Sequence, residues 1–210
     1  VGPSISANGC SVGFHSDATD LVQNDTNGCQ DVFVRSSFLT PIVVNSTGDA
    51  VDADKADGVC DTGNTTPGGA PECTLRAAIE TSNQGCGGII RFEIPSSSGF
   101  PTIAPNSPLP EVVTPVQIDG NWQPQGMVEL DGSNAGADAN GLNITAGYSR
   151  VQGLILNRFG GNGIRLAQGG GNVIRGNYIG VDKTGLADQG NFRSGILISD
   201  SGNNVIGGTG

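Results

Sequence analysis

Several residue types are scarce in this chain of 210 residues, which holds one Trp, one Met, one His and two Tyr. Hydrophobic residues make up 36% of it, a low share for a thick globular core that fits an architecture burying thin rows of Val, Ile and Leu. No run approaches the roughly 18 consecutive apolar residues of a membrane-spanning helix, so we expect no membrane span. The 35 glycines show no three-residue period, which excludes a collagen fold.

Basic side chains are also few, ten against 20 acidic ones, and the formal net charge is −10. The imbalance is local, because 17 of the acidic side chains precede residue 140 whereas six of the basic ones follow it. Carboxylates repel phosphates, so this acidic first part argues against nucleic acid as a partner.

The five cysteines have no C-x-x-C motif among them, and the only histidine, His15, lies far in sequence from most of them. Zinc is therefore the weaker interpretation, and disulfides, which would indicate an oxidising compartment, are favoured. Connectivity stays open at this level, as do inert free thiols. Closeness in sequence would leave Cys86 unpaired and favours two pairs: Cys10–Cys29 and Cys60–Cys73.

An internal repeat occupies residues 140–210. NGLNIT (140–145) recurs as NGIRLA (162–167) 22 residues later, and again as SGILIS (194–199) after a further 32. The ten extra residues are accounted for by a polar segment, VDKTGLADQG (181–190), which we call the inserted loop. The repeating unit is therefore about 22 residues long and holds short strands separated by glycine and asparagine turns.

Stacking these units predicts two aliphatic columns, Leu142–Ile164–Ile196 and Ile144–Leu166–Ile198. Strand side chains alternate, so the intervening residues should face outward, and Asn172 should stack on Asn204 at a turn. Apolar rows buried only against neighbouring units indicate an all-β fold, a parallel β-helix with about 22 residues per rung. The alternative, an antiparallel sandwich, would show tight two-residue turns without this register.

One short helix is predicted in the stretch CTLRAAIETSNQ, near residues 74–84. Thr74 is a suitable N-cap and Gly85 a stop signal. A helix immediately before the first regular strand could cap the exposed end of the stacked strands. The apolar stripe follows the i, i+3, i+4, i+7 spacing of a helix face and comprises Leu75, Ala78, Ile79 and Ser82.

Three stretches resemble a known capping module: VVNSTGDAVDADKADGVCDT, ECTLRAAIETSNQ and IIRFEIP. The module is named for a Cys-Ser-Leu-Arg-Glu-Ala motif and precedes right-handed parallel β-helices in bacterial surface and secreted proteins. Here the motif occupies residues 73–78 and departs from that pattern at Thr74 and Ala77. Downstream, VQIDGNWQP, VELDGS and GNVIRGNYIGVDKTG are similar to β-helices of the pectin-lyase-like superfamily, which includes lyases, hydrolases, adhesins and inert stalks.

Residues 4–35 resemble one blade of a TolB-type β-propeller, and a single blade cannot close a propeller. NNVIGGTG at the end of the chain stops inside the repeat, so we expect a fragment of a longer protein. The expected domains are a truncated propeller-blade-like β segment (1–40), a capping module with the acidic loop and short helix (41–88), and C-terminally truncated parallel β-helix rungs (89–210). The resemblance implies a bacterial protein that is secreted or displayed on the cell surface.

The segment DAVDADKADGVCD carries five aspartates against one lysine. Ca²⁺ takes about six to eight oxygen ligands in irregular geometry, so this segment could hold a structural calcium ion, although its spacing is not that of an EF-hand. The alternative is a solvated acidic loop. The candidate ligands are Asp49, Asp52, Asp54, Asp57 and Asp61. A second, shorter candidate, for which a turn between strands is the favoured alternative, comprises Asp25, Asn27 and Asp31.

Candidates for catalysis are few. Residues 140–210 contain no histidine and only three acids, Asp182, Asp188 and Asp200. Asp119 and Asp131, in the phrases IDG and LDG, are expected to cap turns at strand ends. We therefore expect no catalytic residue and interpret the chain as a non-catalytic extracellular β-helix segment, a rigid surface scaffold for adhesion or carbohydrate binding.

The outward-facing residues supply the candidate ligand contacts: Asn143, Gln152, Arg165 and Arg175. Arginine with Tyr178 or Phe159 nearby could contact glycans, although either ring could instead fill the interior. The expected partner is a polysaccharide or a cell-surface glycan, and the chain is expected to be monomeric. Two alternatives remain: part of a polysaccharide lyase or glycoside hydrolase whose catalytic residues lie outside this chain, and a purely structural stalk.

Overall fold

The structure is a computed structural model that describes residues 2–5, 11–22, 26, 28–36, 41–97 and 99–208. The chain divides into two compact units, Val1–Thr40 and Pro41–Gly210. We call them the N-terminal and C-terminal units.

The N-terminal unit contains an antiparallel sheet in which β2 lies between its two neighbours. Its strands are β1 (Ser4–Ile5), β2 (Ser11–Ser16) and β3 (Asp31–Ser36). Phe14 and Phe33 are register partners on β2 and β3, and their rings stack with centroids 5.6 Å apart. The propeller resemblance stays a prediction.

The C-terminal unit contains three parallel sheets. The first comprises β4 (Ile42–Val44), β5 (Gly88–Phe92), β7 (Val116–Asp119), β10 (Arg150–Gln152), β13 (Val173–Ile174) and β16 (Val205–Ile206). The second comprises β6 (Thr102–Ile103), β8 (Val128–Asp131), β11 (Leu154–Asn157) and β14 (Tyr178–Ile179). The third comprises β9 (Leu142–Ile144), β12 (Ile164–Ala167) and β15 (Ile196–Ser199).

The predicted aliphatic columns are confirmed by the register of the third sheet, where Ile164 pairs with Leu142 on one side and Ile196 on the other. The second column pairs in the same way, and most of its side chains are buried. The predicted asparagine stack is confirmed as well, since Asn172 Nδ2 donates to Asn204 Oδ1 at 3.0 Å. The repeat therefore indicated correctly which strands are neighbours.

The expected all-β, right-handed parallel β-helix is wrong for the chain as a whole. The described strands lie in four separate sheets, one of them antiparallel, and strand and helix make up 32% and 8% of the residues that the structure describes. A repeat of aliphatic residues determines strand register, because one face of each strand must stay buried. It does not determine how strands of two to six residues divide among sheets, because turns and packing decide where each sheet ends.

The predicted helix is confirmed as α1 (Leu75–Gln84), which ends before Gly85. The Thr74 hydroxyl accepts a hydrogen bond from Ala77 N at 3.0 Å, as an N-cap should. The whole predicted stripe is buried, and the helix contacts β4, at one edge of the first sheet, and β5. Within the described ranges, no helix has the length and apolarity needed to cross a membrane.

The Cys60–Cys73 disulfide is confirmed, with its Cα atoms 5.3 Å apart. Cys86 is also disulfide-bonded, which corrects the expectation that it stays unpaired. Closeness in sequence therefore identified the Cys60–Cys73 pair but not the bonded state of Cys86. Cys10 lies outside the described residues, so a Cys10–Cys29 bond stays a prediction.

Candidate ligand-binding face

The outward face of the first parallel sheet carries a row of polar side chains. Along β5, β7 and β10 the inward residues Ile90, Ile118 and Val151 are fully buried. Their neighbours alternate to the other face, and the register places Arg91 opposite Asp119 and Asp119 opposite Gln152. Arg175 follows β13 and extends the line. We call Arg91, Asp119, Gln152 and Arg175 the outward row.

Hydrogen bonds link much of the outward row. Gln152 Nε2 donates to Asp119 Oδ2 at 2.8 Å, and Arg175 Nε donates to Gln152 Oε1 at 3.3 Å. Gln117 Nε2 also reaches Asp119 Oδ2, at 3.4 Å, while Asn121 N donates to Asp119 Oδ1 at 3.1 Å. Asp119 therefore caps the turn after β7, as predicted, and its carboxylate is held by amides rather than by arginine.

Arg91 stands at one end of the row with an unusual environment. Its guanidinium lies over the Trp122 ring, 3.9 Å from the centroid, and Trp122 is 52% exposed. The Nε atom of Arg91 is buried without a hydrogen-bond partner. In the part of the chain that the structure describes, Arg91 forms no ion pair.

Trp122 belongs to a short 3₁₀ turn, Gly120–Trp122, directly after β7. Gly120 is required there because a Cβ atom would overlap the backbone carbonyl of Gly153. Sequence reasoning missed both Arg91 and Trp122 as functional residues. The sequence does contain a signal for Trp122, because the single tryptophan of the chain follows two residues after the phrase IDG at the end of a strand. Arg91 could be found only from the strand register, which places it opposite Asp119 in that phrase.

At the other end of the row lies a cavity of about 280 Å³, lined by Asn121, Gln152, Arg175, Gly176 and Gly208. Two of the four predicted ligand contacts, Gln152 and Arg175, therefore line one cavity. The lining offers amides, which donate and accept hydrogen bonds, and a guanidinium, which only donates them.

The other two predicted contacts lie on a different sheet. Arg165 Nη1 donates to Asn143 Oδ1 at 2.9 Å on the third sheet, and Asn143 lines a separate cavity of about 290 Å³ with Asp138 and Asn140 among others. The four residues thus form two pairs rather than one site. Of the aromatic candidates, Phe159 is buried and Tyr178 is 40% exposed.

The outward face of the second sheet holds a group of paired charges. The Glu129 side chain is only 5% exposed, and it accepts from Thr102 Oγ1 at 2.6 Å and from Asn157 Nδ2 at 3.0 Å. Arg158 binds both oxygens of Asp131 at 2.8 Å. Asp131 also caps the turn after β8, as predicted, by accepting from Ser133 N. We call Glu129, Asp131, Arg158 and Lys183 the charge cluster.

The inserted loop packs over this cluster. Lys183 Nζ donates to Phe100 O at 2.8 Å and Thr102 Oγ1 at 2.6 Å, and lies 3.3 Å from Glu129 Oε2. Gln189, near the other end of the loop, accepts from Arg158 Nη1 at 2.9 Å. The loop thereby neutralises the buried carboxylate and excludes water from it.

Both carboxylates of the cluster are stabilised in their ionised form. Burial raises the pKa of Glu129, but hydrogen bonds from Thr102 and Asn157 and the charge of Lys183 outweigh it and lower the pKa overall. Burial likewise raises the pKa of Asp131, and the hydrogen bonds from Arg158 and Ser133 reverse the shift. Neither group is suited to hold a proton at neutral pH.

Each of the five predicted calcium ligands already accepts a hydrogen bond from another residue of the protein. Asp49 pairs with Arg76 at 2.9 Å, and Asp52 is buried and accepts from Thr81 Oγ1 at 2.6 Å. The other three accept from a backbone amide two residues ahead. No three His, Cys, Asp or Glu side chains within the described ranges form a group that could hold a metal ion, so calcium binding stays a prediction.

The second candidate set is only partly visible. Asp25 and Asn27 lie outside the described residues, whereas Asp31 begins β3 opposite Ser16. Calcium at this loop also stays a prediction.

Comparison of the chain with protein-family models, curated proteins and solved structures found no match. The resemblances described above therefore stay predictions, and function has to be argued from geometry. Chemically, the outward row combines two arginines, one amide and one carboxylate, and the exposed indole of Trp122 lies beside it.

Proposed function

We propose that this chain is a non-catalytic scaffold that binds carbohydrate through the outward face of its first parallel sheet. The observation that carries this proposal is the outward row with Trp122 at one end and a cavity at the other. Sugar hydroxyls both donate and accept, as amides do. An indole that is half exposed offers an apolar face on which a sugar ring can pack.

The hydrogen bonds that hold the side chains of the outward row favour ligand binding without a large rearrangement of those side chains. Its side chains project from strands, and Gln152 is held between Asp119 and Arg175 by two hydrogen bonds. Side chains already fixed in one geometry lose little conformational entropy when a ligand arrives. A rigid row of this kind suits adhesion to an extended glycan.

Secretion or surface display fits the same proposal. The Cys60–Cys73 disulfide and the bonded Cys86 are typical of proteins that fold in an oxidising compartment. Extracellular glycans would then be the available partners.

The two carboxylates of the charge cluster argue for binding rather than glycoside hydrolysis. A hydrolase needs one carboxyl group that keeps its proton near neutral pH. The pKa values of Glu129 and Asp131 are shifted in the opposite direction, and the inserted loop covers them. We therefore do not assign them acid and base roles.

The test measures binding and cleavage together on a panel of neutral and acidic polysaccharides, with reducing ends and unsaturated uronate absorbance recorded in each sample. We expect binding without cleavage, and loss of binding in Gln152→Ala and Trp122→Ala. Asn143→Ala, a matched amide deletion on the third sheet, is the control and should bind like the wild type. Cleavage of any polysaccharide, or binding that survives both variants, would overturn the proposal.

A further inference from the structure

We propose that the glycan bound by this face is an extended anionic chain, with one carboxylate or sulfate group at Arg91 and another at Arg175. This inference rests on the proposed function and adds the charge and length of the ligand.

Arg91 has hydrogen-bonding capacity that the described chain leaves unused. A guanidinium carries five N–H donors in one plane, and stacking on Trp122 occupies only a face of that plane. Its register neighbour, Asp119, is already bonded to Gln117, Gln152 and Asn121. A partly desolvated cation without an acceptor is costly, and an oxyanion bound at the edge of the plane would offset that cost.

Other arginines show that carboxylates are not in short supply in this chain. Arg76, Arg158 and Arg193 each pair with an aspartate. By contrast, the first sheet carries three outward arginines that form no ion pair with any described residue, namely Arg91, Arg150 and Arg175. In a protein of net charge −10, these three arginines outnumber the one carboxylate of the row, Asp119, which is buried and bonded to amides, so the face would attract an anionic ligand.

Spacing along the row sets the size of that ligand. Arg91, Asp119 and Gln152 lie on adjacent strands, and Arg175 contacts Gln152 from the next strand. Neighbouring strands are about 4.8 Å apart, so three steps place the Arg91 and Arg175 backbones about 14 Å apart. One sugar cannot reach both, whereas an oligomer can, and the second contact then forms at high effective concentration.

The experiment is calorimetric titration of the whole chain with oligoglucuronate, sulfated dextran and neutral dextran of matched length, and with monomeric glucuronate. We expect the anionic oligomers to bind, the monomer to bind far more weakly, and affinity to fall as salt is raised. Arg91→Gln and Arg175→Gln should each weaken oligomer binding about tenfold or more. Arg193→Gln makes the same charge change on an exposed side chain away from the row and should bind like the wild type.

Arg91→Lys is a control for misfolding, because it keeps the positive charge and removes only the planar, two-pronged donor geometry of the guanidinium. It should bind the oligomers with an affinity between those of the wild type and Arg91→Gln. Binding of neutral dextran alone would overturn this inference and leave the proposed function standing, whereas no binding to any glycan would overturn both. Anionic binding that Arg91→Gln and Arg175→Gln leave unchanged would also overturn the inference. So would a monomer that binds as tightly as the oligomer.

Discussion

Two outward faces of the C-terminal unit both carry acidic and basic side chains, but these form ion pairs on one face and not on the other. On the second sheet, Glu129 and Asp131 are paired with Lys183 and Arg158 beneath the inserted loop. On the first sheet, Asp119 is bonded to amides and Arg91 stacks on a half-exposed indole without an acceptor. One face is closed and electrostatically satisfied, and the other is open and has unused donors.

The difference separates stability from recognition. Removing one partner of a buried ion pair lowers stability strongly, because the other charge is then left without a partner and without access to water. A cation without an ion-pair partner contributes little to folding and keeps its remaining bonding capacity for a ligand. We therefore expect substitutions in the charge cluster to lower stability, and substitutions in the outward row to lower binding.

The sharpest test of this contrast is Arg158→Met. It should lower the free energy of unfolding by about 2–3 kcal/mol, because Asp131 and the buried Glu129 lose a shared cation. Residue 158 has a positive φ of 57°. Because arginine and methionine both carry a Cβ atom, the substitution leaves the backbone strain there unchanged. Urea denaturation measures the effect, with Arg91→Met as the matched deletion on the first sheet. Equal losses in the two variants would contradict the contrast.

Glu129→Gln should cost about 1–2 kcal/mol at neutral pH, since Lys183 loses its anionic partner. It should also alter the response to acid. The folded-state pKa of Glu129 lies below its ordinary value of 4.5, so its stabilisation is present above that value and disappears as the pH falls through the folded-state pKa. As the pH falls below about 4.5, the wild type should lose more stability than the variant. Parallel pH profiles would refute this assignment.

Lys183→Met should lower the free energy of unfolding by about 1 kcal/mol. The loss is modest because the Lys183 side chain is partly exposed, so that water can replace its hydrogen bonds to Phe100 O and Thr102 Oγ1. The effect should be local. Amide hydrogen exchange over residues 181–190 should accelerate, while exchange in the first sheet stays at the wild-type rate. Lys55→Met, which removes an exposed ion pair with Glu80, is the control and should leave the inserted loop unchanged.

The smallest effect on stability is expected for Arg91→Gln, within about 0.5 kcal/mol of the wild type. The guanidinium has no ion pair to lose among the described residues, and only its stacking on Trp122 disappears. Thermal unfolding followed by circular dichroism measures the change. A loss comparable with that of Arg158→Met would mean that Arg91 is a structural residue and that the open face is not reserved for a ligand.

Much of the local structure could be predicted from the sequence. The 22- and 32-residue spacings placed Ile164 between Leu142 and Ile196, and the stripe with its threonine cap located α1. Asp119 and Asp131 were recognised as turn caps because the bonds that cap the turns, from Asn121 N and Ser133 N, reach only two residues along the chain. The division into four sheets could not be predicted, because it depends on where turns interrupt the ladders rather than on the apolar period.

The candidate site was only half visible in the sequence. Gln152 and Arg175 were selected together with Asn143 and Arg165 because all four face outward, yet the pairs lie on different sheets. Outward direction follows from strand alternation within a few residues, whereas membership of one face depends on the path of the chain between strands.

The sequence by itself determined the strand register, the helix, the turn caps and the acidic balance of this protein, since each depends on neighbours or on a regular period. Only the tertiary structure decided that Trp122 lies under Arg91, that Lys183 reaches Thr102 across 81 residues, and that one sheet face is covered while another is open. These contacts join segments with no common pattern, and they form because packing the buried columns brings their outward neighbours together.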